Sequence, residues 1–319
     1  MTRRMKSSQL PPSLRGALLM TTLAVTVLSG GLSHADKTTA RADMPATVGY
    51  SVIKTARSTD AKEMLVVSGG GWFKDRQLQH NVVLIQHPKG DLLIDTGLGR
   101  NVDAQVEEMS WMHRQLLAYA DVYPLIDQLE ASQYDFARLR GIIPTHMHWD
   151  HVSGLEDLPS VPVWVTAEEH NFAVHEGKAP AFLRSQFDSP AIDWEFVRFD
   201  DEPYEGFDKS KDVFSDGTVV MVSLAGHTSG QVGVFLNLAS GNRLFFIGDT
   251  TWTAEGIERR APRPAMVQWL AGIDWNREQN QVHIEHINAL AAKDSKLTIV
   301  PAHDENVAAK LSLYPVFAY

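Results

Sequence analysis

Short apolar runs bounded by turn residues make up much of the hydrophobic pattern of this chain. Residues 81–85 and 92–94 are two such runs, and the Pro-Lys-Gly-Asp sequence at 88–91 between them predicts a hairpin. Residues 213–224 and 232–247 predict two more hairpins for the same reason. Strand-forming segments therefore occur in both halves of the chain.

Helical spacing of apolar residues follows these strand-rich segments. It predicts helices over residues 102–131 with a break at Pro124, over 167–174 after a strand at 161–165, and over 276–292. In the last helix, Ile284, Ile287 and Leu290 are expected to face inward. Sheet segments that are each followed by helix predict an α+β fold in which helices flank two sheets.

Composition narrows the class of protein. The chain has 319 residues, of which 44% are hydrophobic, and this is enough for one large two-layer domain. Its formal net charge of −10 argues against binding to nucleic acid or to an anionic membrane. It contains no cysteine, so stability has to come from the core and from any bound metal rather than from disulfides.

The first 35 residues predict a secretory signal peptide. They carry a basic start, made of Arg3, Arg4, Lys6 and Arg15. An apolar run at 16–28 follows, too short to span a bilayer comfortably, and Ser-His-Ala at 33–35 offers a cleavage site. We expect an exported, periplasmic or secreted protein with one catalytic domain at 36–319 and no membrane contact after cleavage. The general and twin-arginine routes both remain open.

Metal-binding side chains are concentrated in the segment 145–151, directly after an apolar strand-like run. His146 and His148 point to the same side of an extended backbone. Asp150 and His151 lie where the chain would turn, so they can face the same point. Imidazole and carboxylate groups at this spacing indicate a divalent metal such as zinc.

Four other apolar runs each end in one side chain that can bind or orient a metal ion. These side chains are Asp95, His227, Asp249 and His303. Loops at the ends of rigid strands are where folds place functional residues. Together with the segment 145–151, they predict a single metal centre.

The order of these residues, from about Val48 to His303, resembles that of the metallo-β-lactamase superfamily of binuclear metallohydrolases. The resemblance implies an αββα sandwich of two mixed β-sheets flanked by helices. It implies that one ion is held by His146, His148 and His227, that the other is held by Asp150, His151 and His303, and that Asp249 bridges both. Asp95 would orient a ligand histidine from behind. Two divalent ions are expected. Zinc is the preferred assignment, and manganese, iron and cobalt are the alternatives.

Two features narrow the branch of the superfamily. The absence of cysteine excludes the β-lactamases that use a cysteine ligand. Asp249 matches the branch that contains glyoxalase II, acyl-homoserine lactonases and methyl-parathion-hydrolase-like esterases. Glyoxalase II has a further helical domain, whereas few residues follow His303 here, so a lactonase or esterase is the nearest match.

The resemblance implies that a hydroxide shared by the two metal ions attacks an ester, a lactone (an acyl-homoserine lactone among them) or a phosphoester. Asp150 would then pass a proton to the leaving group. The partner is a small-molecule substrate, and a homodimer is left open. The alternatives are a mononuclear iron dioxygenase of the same superfamily, a thioesterase of the glyoxalase II type and a non-catalytic metal-binding protein.

Several aromatic and sulfur side chains are candidates for the substrate pocket. Trp252 stands where the lactonases carry a tyrosine and is expected to form a pocket wall. Trp72 and Phe73 follow three glycines and predict either a lid tip or an apolar plug at the end of the sandwich. Met109 and Trp111 are expected to line the pocket or to pack in the core.

Overall fold

The computed structural model describes residues 48–200 and 202–319. The expected signal peptide lies outside these residues. In the described part of the chain the strands are β1 (Gly49–Ser58), β2 (Ala61–Lys62), β3 (Asp75–Arg76), β4 (Gln79–Gln86), β5 (Asp91–Ile94), β6 (Tyr119–Ala120), β7 (Leu139–Ile143), β8 (Val163–Thr166), β9 (Trp194–Val197), β10 (Ser210–Asp212), β11 (Val219–Ser223), β12 (Val232–Asn237), β13 (Arg243–Phe246) and β14 (Leu297–Val300).

The helices are mostly short. They are α1 (Glu63–Val66), α2 (Val102–Gln105), α3 (Trp111–Leu116), α4 (Leu125–Ala131), α5 (Trp149–Val152), α6 (Ala167–His175), α7 (Ala254–Glu258), α8 (Ala265–Ala271), α9 (Arg277–Lys293) and α10 (Glu305–Ala308). Single 3₁₀ turns occur at Val106–Glu108, Phe136–Arg138, Leu155–Asp157 and Arg184–Gln186. Within the described ranges, no helix has the length and apolar character needed to cross a bilayer.

Two mixed sheets contain most of the strands. The larger has the order β6-β1-β4-β5-β7-β8-β9, and the smaller has the order β10-β11-β12-β13-β14. In the larger sheet β5, β7, β8 and β9 run parallel, as β13 and β14 do in the smaller sheet. The remaining neighbours are antiparallel, and β2 and β3 form a separate two-stranded sheet.

The sheets pack face to face because alternate side chains of each strand point to the same side. Val52, Val83 and Ile94 of the larger sheet meet Val234 and Phe246 of the smaller one in a single buried cluster. This cluster is the centre of the sandwich.

The outer face of each sheet is covered by helices. On the larger sheet, Val82 and Leu84 pack with Leu129 of α4. On the smaller sheet, Phe235 packs with Ile284 of α9, and Ile287 and Leu290 belong to the same cluster. The αββα sandwich and the inward stripe of α9 are therefore confirmed.

Two of the predicted hairpins form, as β4–β5 and β12–β13. The range 213–224 contains only the second strand of its hairpin, β11, because the first strand, β10, ends at Asp212. The long helix predicted over residues 102–131 is wrong, because the segment contains α2, a 3₁₀ turn, α3, strand β6 and α4. Ser110 caps the start of α3 by accepting a hydrogen bond from the backbone N–H of His113. Pro124 directly precedes α4, so the break expected there is present.

Strands of both sheets end at one edge of the sandwich. In the larger sheet β5 ends immediately before Asp95 and β7 ends just before the segment 145–151. In the smaller sheet β13 and β14 end shortly before Asp249 and His303. This edge brings the candidate metal ligands together.

Candidate metal centre

The histidines and aspartates singled out in the sequence converge at this edge. Three triplets of side chains each place one possible ligand atom per residue within 4.8 Å of one another. They are His146, His148 and His227; His146, His151 and Asp249; and His80, Asp150 and His303. The structure thus brings all seven predicted ligands together and adds His80.

The segment 145–151 is held from behind by Glu169, a buried residue of α6. Its carboxylate accepts one hydrogen bond from the backbone N–H of Met147 at 2.7 Å and another from that of Gly230 at 3.0 Å. Burial raises the pKa of Glu169, although these N–H groups partly oppose the shift. Glu169 therefore ties the loop that carries His146 and His148 to the loop that follows His227.

Replacing Glu169 with alanine is expected to destabilise the protein, because it leaves two buried N–H groups without a partner. The cost is about 1–3 kcal/mol for each orphaned group. Glu168→Ala is the matched control, since Glu168 is the preceding residue of the same helix and its side chain is exposed. Chemical denaturation of both variants measures the difference, and equal free energies of unfolding would contradict this role.

His227 is oriented by a buried ion pair. Its Nδ1 lies 2.8 Å from an oxygen of Asp274, which also pairs with Arg263. Asp274 can only accept, so a hydrogen bond to it places the proton on His227 Nδ1 and leaves Nε2 with a free lone pair; the guanidinium of Arg263 also lies 2.9 Å from this Nδ1. A Cβ added at Gly226 would lie 2.7 Å from the backbone nitrogen of Asn280, so only glycine fits before His227.

Asp249 lies between the two groups of histidines. Its Oδ1 is 3.0 Å from His303 Nε2 and 3.4 Å from His151 Nε2, and its Oδ2 is 3.6 Å from His227 Nε2. The preceding Gly248 has φ +50°, and a Cβ there would lie 2.9 Å from that of Thr145. The backbone can therefore approach the segment 145–151 closely enough for one carboxylate to face both groups.

Two further histidines are oriented in the same way. Asp95 Oδ2 lies 2.8 Å from His151 Nδ1, and Asp95 also accepts hydrogen bonds from the backbone N–H and the hydroxyl of Thr145. His303 Nδ1 donates to the backbone carbonyl of Gln79 at 2.8 Å. When neutral, both rings would therefore present an Nε2 without a proton toward Asp249, and this is the state in which each can bind a metal ion.

This arrangement fits a metal centre. His151 Nε2 and His303 Nε2 lie 3.3 Å apart, with both of their Nδ1 atoms already committed as donors. With both rings neutral, the two Nε2 lone pairs repel each other at this distance unless a cation lies between them. Among the described residues, His146 Nε2 and Asp249 Oδ1 are also buried without a hydrogen-bond partner. A divalent ion satisfies all of these atoms, since imidazole and carboxylate are the donors it prefers.

The electrostatics divide the centre into two halves. Burial lowers the pKa of His146, His148 and His227, which keeps them neutral as metal ligands must be. Burial opposes charge on His151 and His303 as well, but nearby carboxylates outweigh it and raise both pKa values, Asp95 and then Asp249 for His151 and Asp249 for His303.

Four residues of the centre were missed by the sequence reasoning. They are His80, Glu169, Arg263 and Asp274. His80, at the start of β4, places its buried Nδ1 3.2 Å from Asp150 Oδ2. The others lie outside the described ligand triplets and support them. None follows a short-range motif, although His80 stands near the start of a predicted strand and Asp274 precedes a predicted helix.

The candidate pocket residues have mixed outcomes. Trp72 and Phe73 are 70% and 96% exposed, so the apolar-plug interpretation is wrong and the lid stays a prediction. Met109 is buried against Trp149 and belongs to the core, the second of its two expected roles. Trp111 is largely exposed.

Trp252 does not simply form a pocket wall as expected. Its indole Nε1 donates a hydrogen bond to Asp249 Oδ2 at 2.8 Å, so its one polar hydrogen points at the metal centre. The short turn after β13 brings residue 252 back beside Asp249.

Residues 75–303 match the metallo-beta-lactamase superfamily, and the chain belongs to that superfamily. It is a metal-dependent hydrolase, as the resemblance implied. A probable metallo-hydrolase of Mycobacterium bovis is 30% identical over 237 residues, which cover 71% of this chain and 75% of that protein. An N-acyl homoserine lactonase, AttM of Rhizobium radiobacter, is 25% identical over 244 residues, covering 73% of this chain and 85% of the lactonase.

A solved structure supports the fold. It is an N-acyl homoserine lactone hydrolase with the product N-hexanoyl-L-homoserine bound at its catalytic metal center. It superposes with a TM-score of 0.66 over 85% of this chain and 98% of that chain, at 17% sequence identity. At this identity the likeness establishes the shared sandwich.

Proposed function

We propose that this protein opens the ring of N-acyl homoserine lactones by hydrolysis. The observation that carries the proposal is the carboxylate of Asp249 facing two groups of buried ligand nitrogens. The relatedness to N-acyl homoserine lactonases supports the choice of a lactone among the possible esters.

The seven convergent side chains would hold two divalent cations, zinc in the first instance. One ion is assigned to His146, His148 and His227, the other to Asp150, His151 and His303, with Asp249 shared. When bound, the pair of ions supplies Lewis acidity and makes water acidic enough to act as a nucleophile near neutral pH.

The chain's own residues provide orientation and proton transfer. Asp95, Gln79 and Asp274 orient three of the five ligand histidines, His151, His303 and His227, so these donors are in place before a substrate arrives. Of the seven ligands only Asp150 is partly exposed, which gives it access to a bound substrate.

Asp150 is the residue to which we assign the proton transfer. Burial tends to raise its pKa, but His151, His80 and His303 outweigh this effect and hold the pKa well below its usual range. The carboxylate is therefore ionised near neutral pH. We assign it the proton that the attacking water gives up as its oxygen bonds to the lactone carbonyl carbon, and this proton would pass to the ring oxygen as the C–O bond breaks.

The test is hydrolysis of a panel by the metal-loaded enzyme. N-hexanoyl homoserine lactone is compared with a thioester, an aryl ester, a phosphotriester and a β-lactam. We expect the lactone to have the highest kcat/KM, and chelation should abolish its hydrolysis. Turnover of the thioester or β-lactam alone would contradict the proposal, and oxygen consumption with a persulfide would favour an iron dioxygenase instead.

We also propose that residues 1–35 are a signal peptide and that the domain at 36–319 is delivered to the periplasm or secreted. N-terminal sequencing of the protein from cell fractions tests this. Asp36 is the expected first residue of the exported form. Retention of the intact N-terminus in the cytoplasm would contradict it.

A further inference from the structure

Trp252 acts on the metal centre through Asp249. Its indole N–H is the one polar hydrogen that the side chain offers, and the hydrogen bond to Asp249 Oδ2 at 2.8 Å uses it. Trp252 is thus not free to hydrogen-bond a substrate carbonyl. The oxygen that it contacts is the one that faces His227, whereas Oδ1 faces His151 and His303.

The indole is itself held in place by Arg263, which is only 2% exposed. The guanidinium carbon lies 5.4 Å from the centre of the Trp252 ring, within the range of a cation–π contact. The same guanidinium donates to the backbone carbonyl of Asp249 and pairs with Asp274, the residue that orients His227. One buried cation therefore connects the backbone of Asp249, the ring of Trp252 and the partner of His227.

We propose that Trp252 is a positioning residue that sets the affinity of one half of the metal centre. With Arg263 and Asp274 it fixes Asp249 Oδ2 relative to His227 Nε2, and so it acts on the ion held by His146, His148 and His227. The ion on the Oδ1 side should change less, because the indole contacts Oδ2 and not Oδ1. This inference rests on the proposed metal centre and not on the identity of the substrate.

The experiment compares Trp252→Phe with the wild type in metal titrations of the metal-free protein against a chromophoric chelator. Removing a partner that orients a ligand costs about 10–100-fold in metal affinity. We expect one zinc equivalent to weaken by about tenfold or more, and the other to stay within about twofold. Cobalt substitution should show an altered visible spectrum for the weakened equivalent only.

Trp269→Phe is the matched control, because Trp269 is 81% exposed on α8 and the chemical change is the same. Thermal unfolding of the metal-free variants separates positioning from packing. If Trp252 only fills space, Trp252→Phe lowers the melting temperature without metal and binds both equivalents normally, and this outcome overturns the proposal. Equal weakening of both equivalents overturns it as well.

Kinetics give a second readout. Since the indole N–H is bound to Asp249, Trp252→Phe should lower kcat on whichever substrate the enzyme turns over and leave KM within about twofold. A rise in KM with unchanged kcat and metal affinity would place Trp252 in substrate binding instead. If the wild type binds two ions but opens no lactone, the proposed substrate fails while the titrations still test Trp252.

Discussion

Asp249→Asn is expected to reduce turnover by at least about a hundredfold, more than the loss of a residue that only orients a ligand. The carboxylate faces both groups of histidines, so the substitution removes a negative charge from both halves. The hydrogen bond from Trp252 also dictates how the new amide lies, with its oxygen toward the indole N–H and its NH₂ toward His151 and His303. An NH₂ group cannot bind a cation, so that half should lose its ion first.

Metal analysis after gel filtration measures this result. We expect at most one tightly bound equivalent in Asp249→Asn, held by His146, His148 and His227. His286→Ala is the control, because its imidazole bonds to the backbone carbonyl of Glu205, away from the centre, and both ions should remain. Two tightly bound equivalents with full activity in Asp249→Asn would show that this carboxylate is not shared.

The second large effect expected is a difference in pH dependence between the two halves. Nearby carboxylates outweigh burial and raise the pKa of His151 and of His303, so in the metal-free protein an ion must displace their protons. The affinity for the metal ion held by His151 and His303 should rise about tenfold per pH unit for each proton displaced, until the pH exceeds the raised pKa values. His146 and His227 have pKa values lowered by burial and are already neutral, so their half should change little from about pH 6 to about pH 8.

Calorimetric titrations in buffers of different ionisation enthalpy count the protons released by each equivalent. Proton release from both equivalents alike, or from neither, would contradict this division.

The stability of the metal-free protein should also depend on pH through these histidines and aspartates. The raised pKa values of His151 and His303 contribute stability that is fully present below the unfolded value of about 6.5 and is lost as the pH rises through the folded values. The depressed pKa values of Asp150 and Asp249, which nearby histidines lower against the effect of burial, contribute stability that is lost as the pH falls below about 4. Burial lowers the pKa values of His146, His148 and His227, so the protein also loses stability as the pH falls below their unfolded value of about 6.5. The melting temperature with a chelator present should therefore have its maximum near about pH 6.5.

Much of the centre could be predicted because its residues follow the ends of apolar strands. Asp95, Asp249 and His303 follow β5, β13 and β14 closely, and a strand end is visible in the sequence as the point where apolar residues give way to polar ones. The two-residue spacing of His146 and His148 also predicts that both side chains point to the same side of an extended backbone. The hairpins were predictable for the same reason, since turn residues separate their strands.

The supporting residues could not be predicted because they act across the fold. Arg263 and Asp274 lie in the connections before and after α8, where the sequence has no periodic pattern. Nothing in the sequence therefore indicates that Asp274 orients His227 or that Arg263 binds the backbone carbonyl of Asp249. The role of Trp252 depends on the direction of its ring after a tight turn. The helix predicted over residues 102–131 is wrong because the apolar positions there have helical spacing locally, whereas packing and the cap at Ser110 divide the segment.

The ligands are divided between the two sheets of the sandwich. Four come from the segment after β7 in the larger sheet, and His227, Asp249 and His303 come from the smaller sheet. Each bound ion would then be a cross-link that joins the sheets at their open edge, in a chain with no cysteine to provide one. Without the ions, this edge should open well before the buried cluster between the sheets that contains Val83 and Phe246. Amide hydrogen exchange of the metal-free protein should therefore begin in the loops that follow β7 and β13.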